Sequence, residues 1–302
     1  MYKYKVTVFT PTYNRGYIIE KLYNSLKSQT YSDFEWLVID DGSNDNTPNL
    51  LKKWLKEDNK FEIRYYRTPN GGKQRAINKA LELVQGEYIF IVDSDDVICD
   101  KAIEKIHNWL TTIEGKVDFA GVSGLRGDRR GKPIGGKPKF YNNCEFVDAT
   151  NLERDKYNLQ ADMAEVYKVD VLKKYPFTVF EGETFVPEAV VWNQIALDEY
   201  KLRWFNEVIY ICEYLEDGLT KSSWKLLSRN PMGYAYFFNH SLKYTKGFRQ
   251  RYHIACQHIV YSIIGKQYKY IFKSEDILLT LLALPIGLPL SIRRLSQLTK
   301  NT

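Results

Sequence analysis

Over the first hundred residues, strand signals alternate with amphipathic helix signals, and that rhythm leaves few folds open. Val6 to Thr10 is a short β-branched run ending at Pro11, and residues 17–29 carry Ile18, Leu22, Tyr23 and Leu26 at helical spacing. Trp36 to Ile39 reads as a second buried strand, stopped by Asp40-Asp41-Gly42-Ser43. Ser43 or Asp45 is placed to cap a helix through Leu50, Leu51, Trp54 and Leu55. Phe61 to Tyr66 alternates as a third strand, and Gly71-Gly72 opens a helix through Ala76, Ile77, Ala80, Leu81 and Val84. Tyr88 to Val92 is apolar throughout and therefore central. This β-α-β-α-β-α-β order predicts an α/β domain, a Rossmann-like and mostly parallel sheet with flanking helices. Ligands of such sheets bind outside the carboxyl ends of the strands. Those ends carry Thr10-Pro11-Thr12-Tyr13-Asn14-Arg15, Asp40-Asp41 and Asp93-Ser94-Asp95-Asp96, three polar clusters that would converge on one crevice.

Composition narrows the class without naming a function. The 302 residues are 44% apolar and 26% charged, which excludes a disordered or fibrous chain. A net charge of +6 is too small to imply a nucleic-acid partner. Cys99, Cys144, Cys212 and Cys256 are too far apart in sequence for a zinc site or a CxxC pair, so reduced thiols in a cytoplasmic chain are expected. Met1 to Lys5 runs straight into a strand-like stretch, and no signal peptide is expected. Aromatic residues make up 15% of the chain; their rings suit sugar or base stacking, although most will be core.

After about residue 115 the pattern loosens. Gly124 to Lys139 holds Arg126, Arg129, Arg130, Lys132, Lys137 and Lys139 against the single acid Asp128, and its glycines and prolines read as a loop or β-ribbon. Glu181 to Tyr200 reads as a loop leading into a helix, and from about 222 the chain is helical and rich in aromatics. Ile277 to Ile292 is apolar but broken by Pro285, Gly287 and Pro289, and falls short of the roughly 20 residues that span a bilayer. Lys266, Lys269 and Lys273 precede it, while Arg293, Arg294 and Lys300 follow. Such a segment suits the interface of an anionic membrane, or else a helix docked on the protein's own core.

The strongest chemical signal is Asp93-Ser94-Asp95-Asp96 directly after a strand. Three carboxylates in four residues repel one another unless something positive sits among them. A hard divalent cation bound to phosphate oxygens is the natural guest, and an exposed turn capping the next helix is the plainer alternative. Asp40-Asp41-Gly42-Ser43 offers a carboxylate at a strand end that can accept an imide N–H such as that of uracil; a turn with a helix cap reads equally well. In Asn70-Gly71-Gly72-Lys73-Gln74-Arg75 the glycines allow close approach of a phosphate, with Lys73 and Arg75 adding charge or simply being solvated. No P-loop and no GxGxxG motif occurs.

Taken together, Phe9 to Arg15, Val38 to Ser43, Asn70 to Gly72 and Gly86 to Asp96 closely resemble the motifs of the family 2 glycosyltransferases, in order and spacing, across roughly residues 4–100, with a looser match to about 220. The resemblance implies a GT-A fold and an inverting, metal-dependent transfer of a hexosyl unit from a nucleotide-sugar, UDP-sugar favoured, with Mn²⁺ or Mg²⁺. By analogy Thr10, Pro11 and Tyr13 would line the base pocket, and Asp41 with Asp40 beside it would meet the base. Lys73 and Ser94 would join the donor site. Asp93 and Asp95 fit the DXD motif that handles ribose and metal, and Asp96 is a further candidate ligand.

Inversion needs a general base to deprotonate the acceptor hydroxyl. The family supplies an acid at the start of a helix in its second half. Here Glu188, four residues before Trp192, fits best, with Glu183 and Glu181 behind it. Many relatives follow the base with a metal-binding His. None of His107, His240, His253 and His258 fits that place, and Asp217 is the candidate substitute. The implied organisation is a catalytic domain over 1–220, with 1–115 the nucleotide-sugar-binding half and 116–220 the acceptor-binding half. A helical region over 221–302 would follow, membrane-associating at 277–292. The expected acceptor is a saccharide of cell-surface polysaccharide or glycan synthesis, polyprenyl-diphosphate-linked, at the cytoplasmic face of a membrane. The rival classes are a sugar nucleotidyltransferase, whose Gly-rich basic signature Thr10 to Arg15 lacks, and an inactive glycosyltransferase-like carbohydrate-binding protein.

Overall fold

The computed structural model describes residues 2–135, 138–140, 144–212 and 223–300. In chain order its elements are β1 (Tyr4–Thr12), α1 (Ile19–Lys27), β2 (Phe34–Asp40), α2 (Thr47–Trp54), β3 (Glu62–Arg67), α3 (Lys73–Leu83), β4 (Gly86–Ile91), β5 (Val97–Ile98), α4 (Ala102–Thr111), β6 (Phe119–Gly127), β7 (Phe146–Ala149), β8 (Met163–Lys168), α5 (Val169–Leu172), α6 (Ala189–Leu197), β9 (Lys201–Ile211), α7 (Ser223–Arg229), α8 (Pro231–Ser241), α9 (Phe248–Ile264) and α10 (Ile277–Lys300). They divide into two compact units. One comprises residues up to 176 with 193–212, the other 177–192 with 223–300. The stretch 177–192, grouped by the sequence motifs with residues 116–220, thus belongs with the C-terminal helices.

In the first unit the described strands form one sheet in the order β3-β2-β1-β4-β8-β6-β9-β5, with β7 also paired to β9. The pairs β1–β2, β1–β4 and β2–β3 are parallel, as the alternating pattern requires. Past β4 the sheet becomes mixed: β8 is antiparallel to both β4 and β6, and β6 is parallel to β9. The short apolar runs that betray β1 to β4 give way there to longer strands, with β6 and β9 paired through bulges, which is why the second half of the sheet is hard to read from sequence. Gly121 marks the crossover. With φ +154°, a Cβ there would lie 1.9 Å from the Val166 carbonyl oxygen, so β6 can pair with β8 only through a residue without a side chain.

Many of the aromatic rings, though not most, are core. Tyr23 stacks on Trp54 with centroids 4.3 Å apart, and Trp109 stacks on Phe205 at the same distance. Trp36, Phe90 and Tyr210 are buried in the same cluster. Each buried aromatic pair adds roughly 0.5–1.5 kcal/mol beyond its area. The effect is to hold the strand ends, and hence the polar clusters, on a rigid base.

The second unit is helical. Its cores gather Met232, Ala235 and Tyr261 in one cluster, and Leu242, Cys256, Ile259, Ile271 and Ala283 in another. α10 runs unbroken through Pro285 and Pro289, so the segment read as 277–292 is part of a longer helix. Its apolar window, Ile277–Gln297, has 21 residues at mean hydropathy 1.5 and is long enough by length and composition to cross a bilayer. Lys137, part of the predicted basic loop, and Asp217 lie outside the described residues.

Candidate active site

Parallel pairing sets Thr12 opposite Asp40, and the Asp41 amide donates to the Thr12 carbonyl at 2.8 Å. The β1–α1 loop turns through Asn14, whose φ of +52° is left-handed and suits asparagine. It is then stitched to the Asp40–Thr47 loop. The Asn14 amide donates to Ser43 Oγ, the Asn44 amide to Asn14 Oδ1, and the Gly16 amide to Asp45 Oδ2, all at 2.8–2.9 Å. Asp45 also accepts the Thr47 amide and hydroxyl just ahead of α2, although the N-cap position itself is Asn46 and not Ser43 or Asp45.

The two aspartates of this loop do different work. Asp40 is fully buried; it accepts the Ser43 amide at 2.8 Å and the Tyr65 hydroxyl at 2.9 Å, which shapes the turn. Asp41 reaches the other way and clasps the head of α3. Its Oδ1 accepts the Gly71 amide at 2.8 Å and its Oδ2 the Gly72 amide at 2.7 Å, with Asn70 Nδ2 adding a bond to each of its carbonyl and carboxylate. Burial pushes the Asp41 carboxyl up, while the two glycine amides oppose the shift. A base imide would therefore share an acceptor already bonded to two amides. Gly42 at φ +83° lies under this clasp, where a Cβ would come 2.9 Å from the Asn70 nitrogen.

α3 begins at Lys73, and the lysine is not left to solvent: its Nζ lies 2.6 Å from Asp93 Oδ1. This contact joins the third sequence cluster to the fourth. Arg15 reaches Asp95 at 3.8 Å, joining the first cluster to the fourth as well. Ser94 is buried between the two acids. On the far side Arg126 of β6 stands 3.9 Å from Asp93 and 4.0 Å from Asp96, with its guanidinium 4.3 Å from the centre of the Tyr210 ring. The Tyr210 hydroxyl, on β9, accepts the Asp93 amide at 3.0 Å and donates to Asp96 at 2.7 Å.

This arrangement sets the protonation of the three acids apart. Burial works to raise the Asp93 carboxyl, but Lys73 and Arg126 outweigh it and hold it below the usual carboxylate range. Burial and the Asp93 charge raise Asp95, with Arg15 opposing. Burial pushes Asp96 up to about 7, against the pull of the Tyr210 hydroxyl and with the charges of Asp93 and Asp95 adding to it. Among the described residues no group of three or more His, Cys, Asp or Glu is gathered as a ready metal cage. Two hard carboxylates that need counter-charge are nevertheless the donor set that Mg²⁺ or Mn²⁺ uses beside substrate phosphates. In this structure Lys73, Arg126 and Arg15 supply that charge.

Two of the base-pocket residues are placed openly: Pro11 is half-buried, and the Tyr13 ring is 44% exposed at the strand end. Thr10 is placed differently. It is fully buried, and its hydroxyl accepts the Trp36 indole N–H at 2.9 Å, so its side chain is engaged in the core. Thr12 takes its place as the residue of interest. Its hydroxyl is buried at the strand end and has no hydrogen-bond partner among the described residues. A buried hydroxyl left unpaired costs roughly 1–3 kcal/mol, which a ligand at this edge would recover.

Arg126 and Tyr210 were missed in sequence because nothing local marks them. In the sequence Arg126 opens a basic, glycine-rich stretch, and Tyr210 sits in an apolar strand run. Only the pairing of β6 with β9 brings them to the acids.

Glu188 belongs to the second unit, half-buried at the head of α6, where its carbonyl accepts the Val191 amide at 2.9 Å. Glu183 is excluded from a free role by its bonds. Its carboxylate accepts the Met232 and Gly233 amides at 2.7 and 2.8 Å and so caps α8. Glu181 is exposed. His258 is buried in α9 with Nδ1 at 3.2 Å from the Ala235 carbonyl, and His253 is exposed on the same helix.

Residues 7–175, more than half of the chain, match the model of glycosyl transferase family 2. The chain belongs to this family. Among curated relatives of this family 2 member is the glycosyltransferase GlyG of Streptococcus pneumoniae, 36% identical over 103 residues, which are 34% of each chain. Another is the GalNAc(5)-diNAcBac-PP-undecaprenol beta-1,3-glucosyltransferase of Campylobacter jejuni, 31% identical over 106 residues, 34% of this chain and 33% of that one. This family 2 chain thus aligns with about a third of the length of either relative. Its fold is similar to that of Staphylococcus aureus TarS 1–349 in complex with UDP-GlcNAc. The TM-score is 0.62 at 18% identity, covering 94% of this chain and 80% of that one. The family 2 member has the GT-A fold, a mixed α/β sheet with flanking helices and a helical C-terminal region.

Proposed function

We propose that this chain is an inverting hexosyltransferase that moves a sugar from a nucleotide donor, UDP-sugar favoured, to a saccharide acceptor in cell-surface polysaccharide or glycan synthesis. The observation that carries the reading is the meeting of Asp93 and Asp95 with Lys73 and Arg15, at one sheet edge, beside the Asp41 clasp. A nucleoside diphosphate brings to such an edge a base for the Tyr13 ring and the Asp41 region, a ribose for Asp93, and phosphates for the cations.

Asp93 and Asp95, with Asp96 behind them, would hold Mn²⁺ or Mg²⁺. Such an ion, when bound, supplies counter-charge for the diphosphate leaving group. The chain's own part is then plain. Lys73 and Arg15 exchange a carboxylate partner for phosphate oxygen, and the buried Thr12 hydroxyl gains a bond. The acceptor oxygen attacks the anomeric carbon as the bond from that carbon to the diphosphate oxygen breaks. The nucleoside diphosphate leaves with the electron pair, and Glu188 takes the acceptor proton.

The proposed organisation is a catalytic domain over 1–220, its halves 1–115 and 116–220 serving donor and acceptor, followed by the helical region 221–302. The Campylobacter relative carries an undecaprenol-linked substrate in its name, which supports a polyprenyl-diphosphate-linked acceptor and a place at the cytoplasmic face of a membrane. Calorimetric titration of UDP into the protein, with Mn²⁺ and then with EDTA, is the test. Metal-dependent binding that Asp95→Asn abolishes is expected. Binding of equal strength in EDTA and in the variant would reject the metal-assisted donor site.

A further inference from the structure

α10 is packed inside out for a helix in water. The residues it buries are small or polar: Thr280, Ala283, Gly287 and Ser291 follow one another at steps of three or four residues, with Leu279 the one large side chain buried among the described residues. Gly287 lets the backbone approach Ile259 of α9 so closely that a Cβ there would meet that side chain at 2.9 Å. The large apolar residues point out instead. Leu278 is 78% exposed, Leu282 58% and Ile292 69%, with Ile286 between them. In water a helix gains by burying its leucines; small residues inward and leucine outward is the packing of helices whose surroundings are lipid.

Charge identifies the kind of lipid. From residue 242 to the end the chain has ten Lys and Arg against two acids. Both acids are already paired, Glu275 with Lys243 at 3.0 Å and Asp276 with Arg251 at 2.5 Å. Lys266, Lys269 and Lys273 stand exposed immediately before α10, together with the exposed rings of Tyr268 and Phe272, and Arg293 stands exposed near its end. Basic side chains and aromatic rings at the margins of an apolar surface fit an anionic headgroup layer.

Two features set the helix in the plane of the layer instead of across it. α10 is tied to α9 near both ends, by Asp276 to Arg251 and by Arg294 to the Tyr261 hydroxyl at 3.2 Å. Pro285 and Pro289 lack the amides that would satisfy the carbonyls of Leu281 and Pro285. All of these residues lie on the exposed side, where headgroups and water can bond what the hydrocarbon interior cannot. We infer that the outward face of α10, flanked by Lys266, Lys269 and Lys273, is a docking surface for an anionic bilayer, with the helix lying in the headgroup plane. The inference names the surface and lipid charge behind the membrane-linked acceptor proposed above, yet it is tested without donor or acceptor.

The test is flotation of the full chain with phosphatidylcholine vesicles, with and without phosphatidylglycerol. About tenfold or more stronger binding to the anionic vesicles is expected, weakening in high salt. Leu278→Glu, Leu282→Glu and Ile286→Glu together, all at exposed positions, should lower binding about tenfold or more with an unchanged Tm. Lys266→Glu with Lys269→Glu and Lys273→Glu, which leaves the apolar face intact, should remove the preference for phosphatidylglycerol. Failure to float, equal flotation on both vesicles, or variants that bind like the parent would overturn the inference. So would a concentration-dependent dimer, lost in the leucine variant, in a chain that ignores vesicles. Transfer to a soluble acceptor, measured separately, keeps failure of the surface distinct from failure of the reaction.

Discussion

Tyr210 donates its phenolic proton to Asp96 across 2.7 Å, linking the ninth strand to an acid 114 residues earlier in the chain. The same oxygen accepts the Asp93 amide, so one buried phenol fixes the orientation of two members of the acid cluster. Tyr210→Phe keeps the ring under Arg126 and removes only the hydroxyl. Loss of about 1–3 kcal/mol in stability is expected, from a buried amide that loses its acceptor and a buried acid that loses one of its hydrogen bonds. A parallel fall of about tenfold in turnover is expected, and urea unfolding and a transfer assay would check both. An unchanged turnover would make the phenol purely structural.

Lys73 holds Asp93 ionised by direct contact at 2.6 Å and occupies charge space that a divalent cation would share. Lys73→Met should leave Asp93 and Asp95 less compensated. The variant should melt lower than the parent in EDTA and gain more from added Mn²⁺, since the ion then relieves a larger repulsion. Differential scanning fluorimetry with and without Mn²⁺ measures this. Equal Mn²⁺ gains in both proteins would argue that the lysine and the ion do not compete.

Glu188→Gln preserves shape and hydrogen bonding while removing the ability to accept a proton. Turnover should fall by about 10²–10⁴, with UDP affinity nearly unchanged. Calorimetry beside a transfer assay separates the two. Loss of UDP affinity would reassign Glu188 to donor binding.

Asp276 heads α10, accepting the Leu279 amide at 3.1 Å, and its carboxyl lies below the usual 3.8, held there first by Arg251 and then by that amide. A lowered folded-state value means the ionised form is favoured in the native protein. The stability it contributes is complete above the unfolded value of 3.8 and disappears as pH falls through the lower folded one. Asp276→Ala should therefore cost about 1 kcal/mol at neutral pH. In thermal melts the gap between parent and variant should close on acidification below 3.8. A gap that stayed constant to low pH would mean that the charge is irrelevant to the cap.

The first four strands and three helices, and the convergence of the clusters at Thr12, Asp41 and Asp93, were legible because parallel βαβ units carry their signals locally. The roles within the clusters were not. Thr10 and Thr12 share one face of the strand, and only the packing of Trp36 shows which hydroxyl is already bonded in the core and which is left for the strand end. Asp40 and Asp41 look interchangeable in sequence, yet one shapes its own turn while the other holds a helix thirty residues on. Arg126 and Tyr210 were out of reach for a different reason: they arrive through the mixed half of the sheet, whose bulged pairings have no short-range signature. In α10 the prolines suggest a break, but the helix runs on through both, its backbone packed on Ile259 of α9 at Gly287.

The clasp of Asp41 on Gly71 and Gly72 has a bearing on how this site can be re-engineered. Because the carboxylate of one loop supplies the missing bonds at the start of α3, the two segments form a single inheritable module despite the helix and strand between them. A loop transplanted from a relative to alter base preference would come without its matching helix head. It would leave two amides bare and a glycine pair with no anchor. Exchange of residues 40–47 and 70–73 together is the smallest graft that carries its own support.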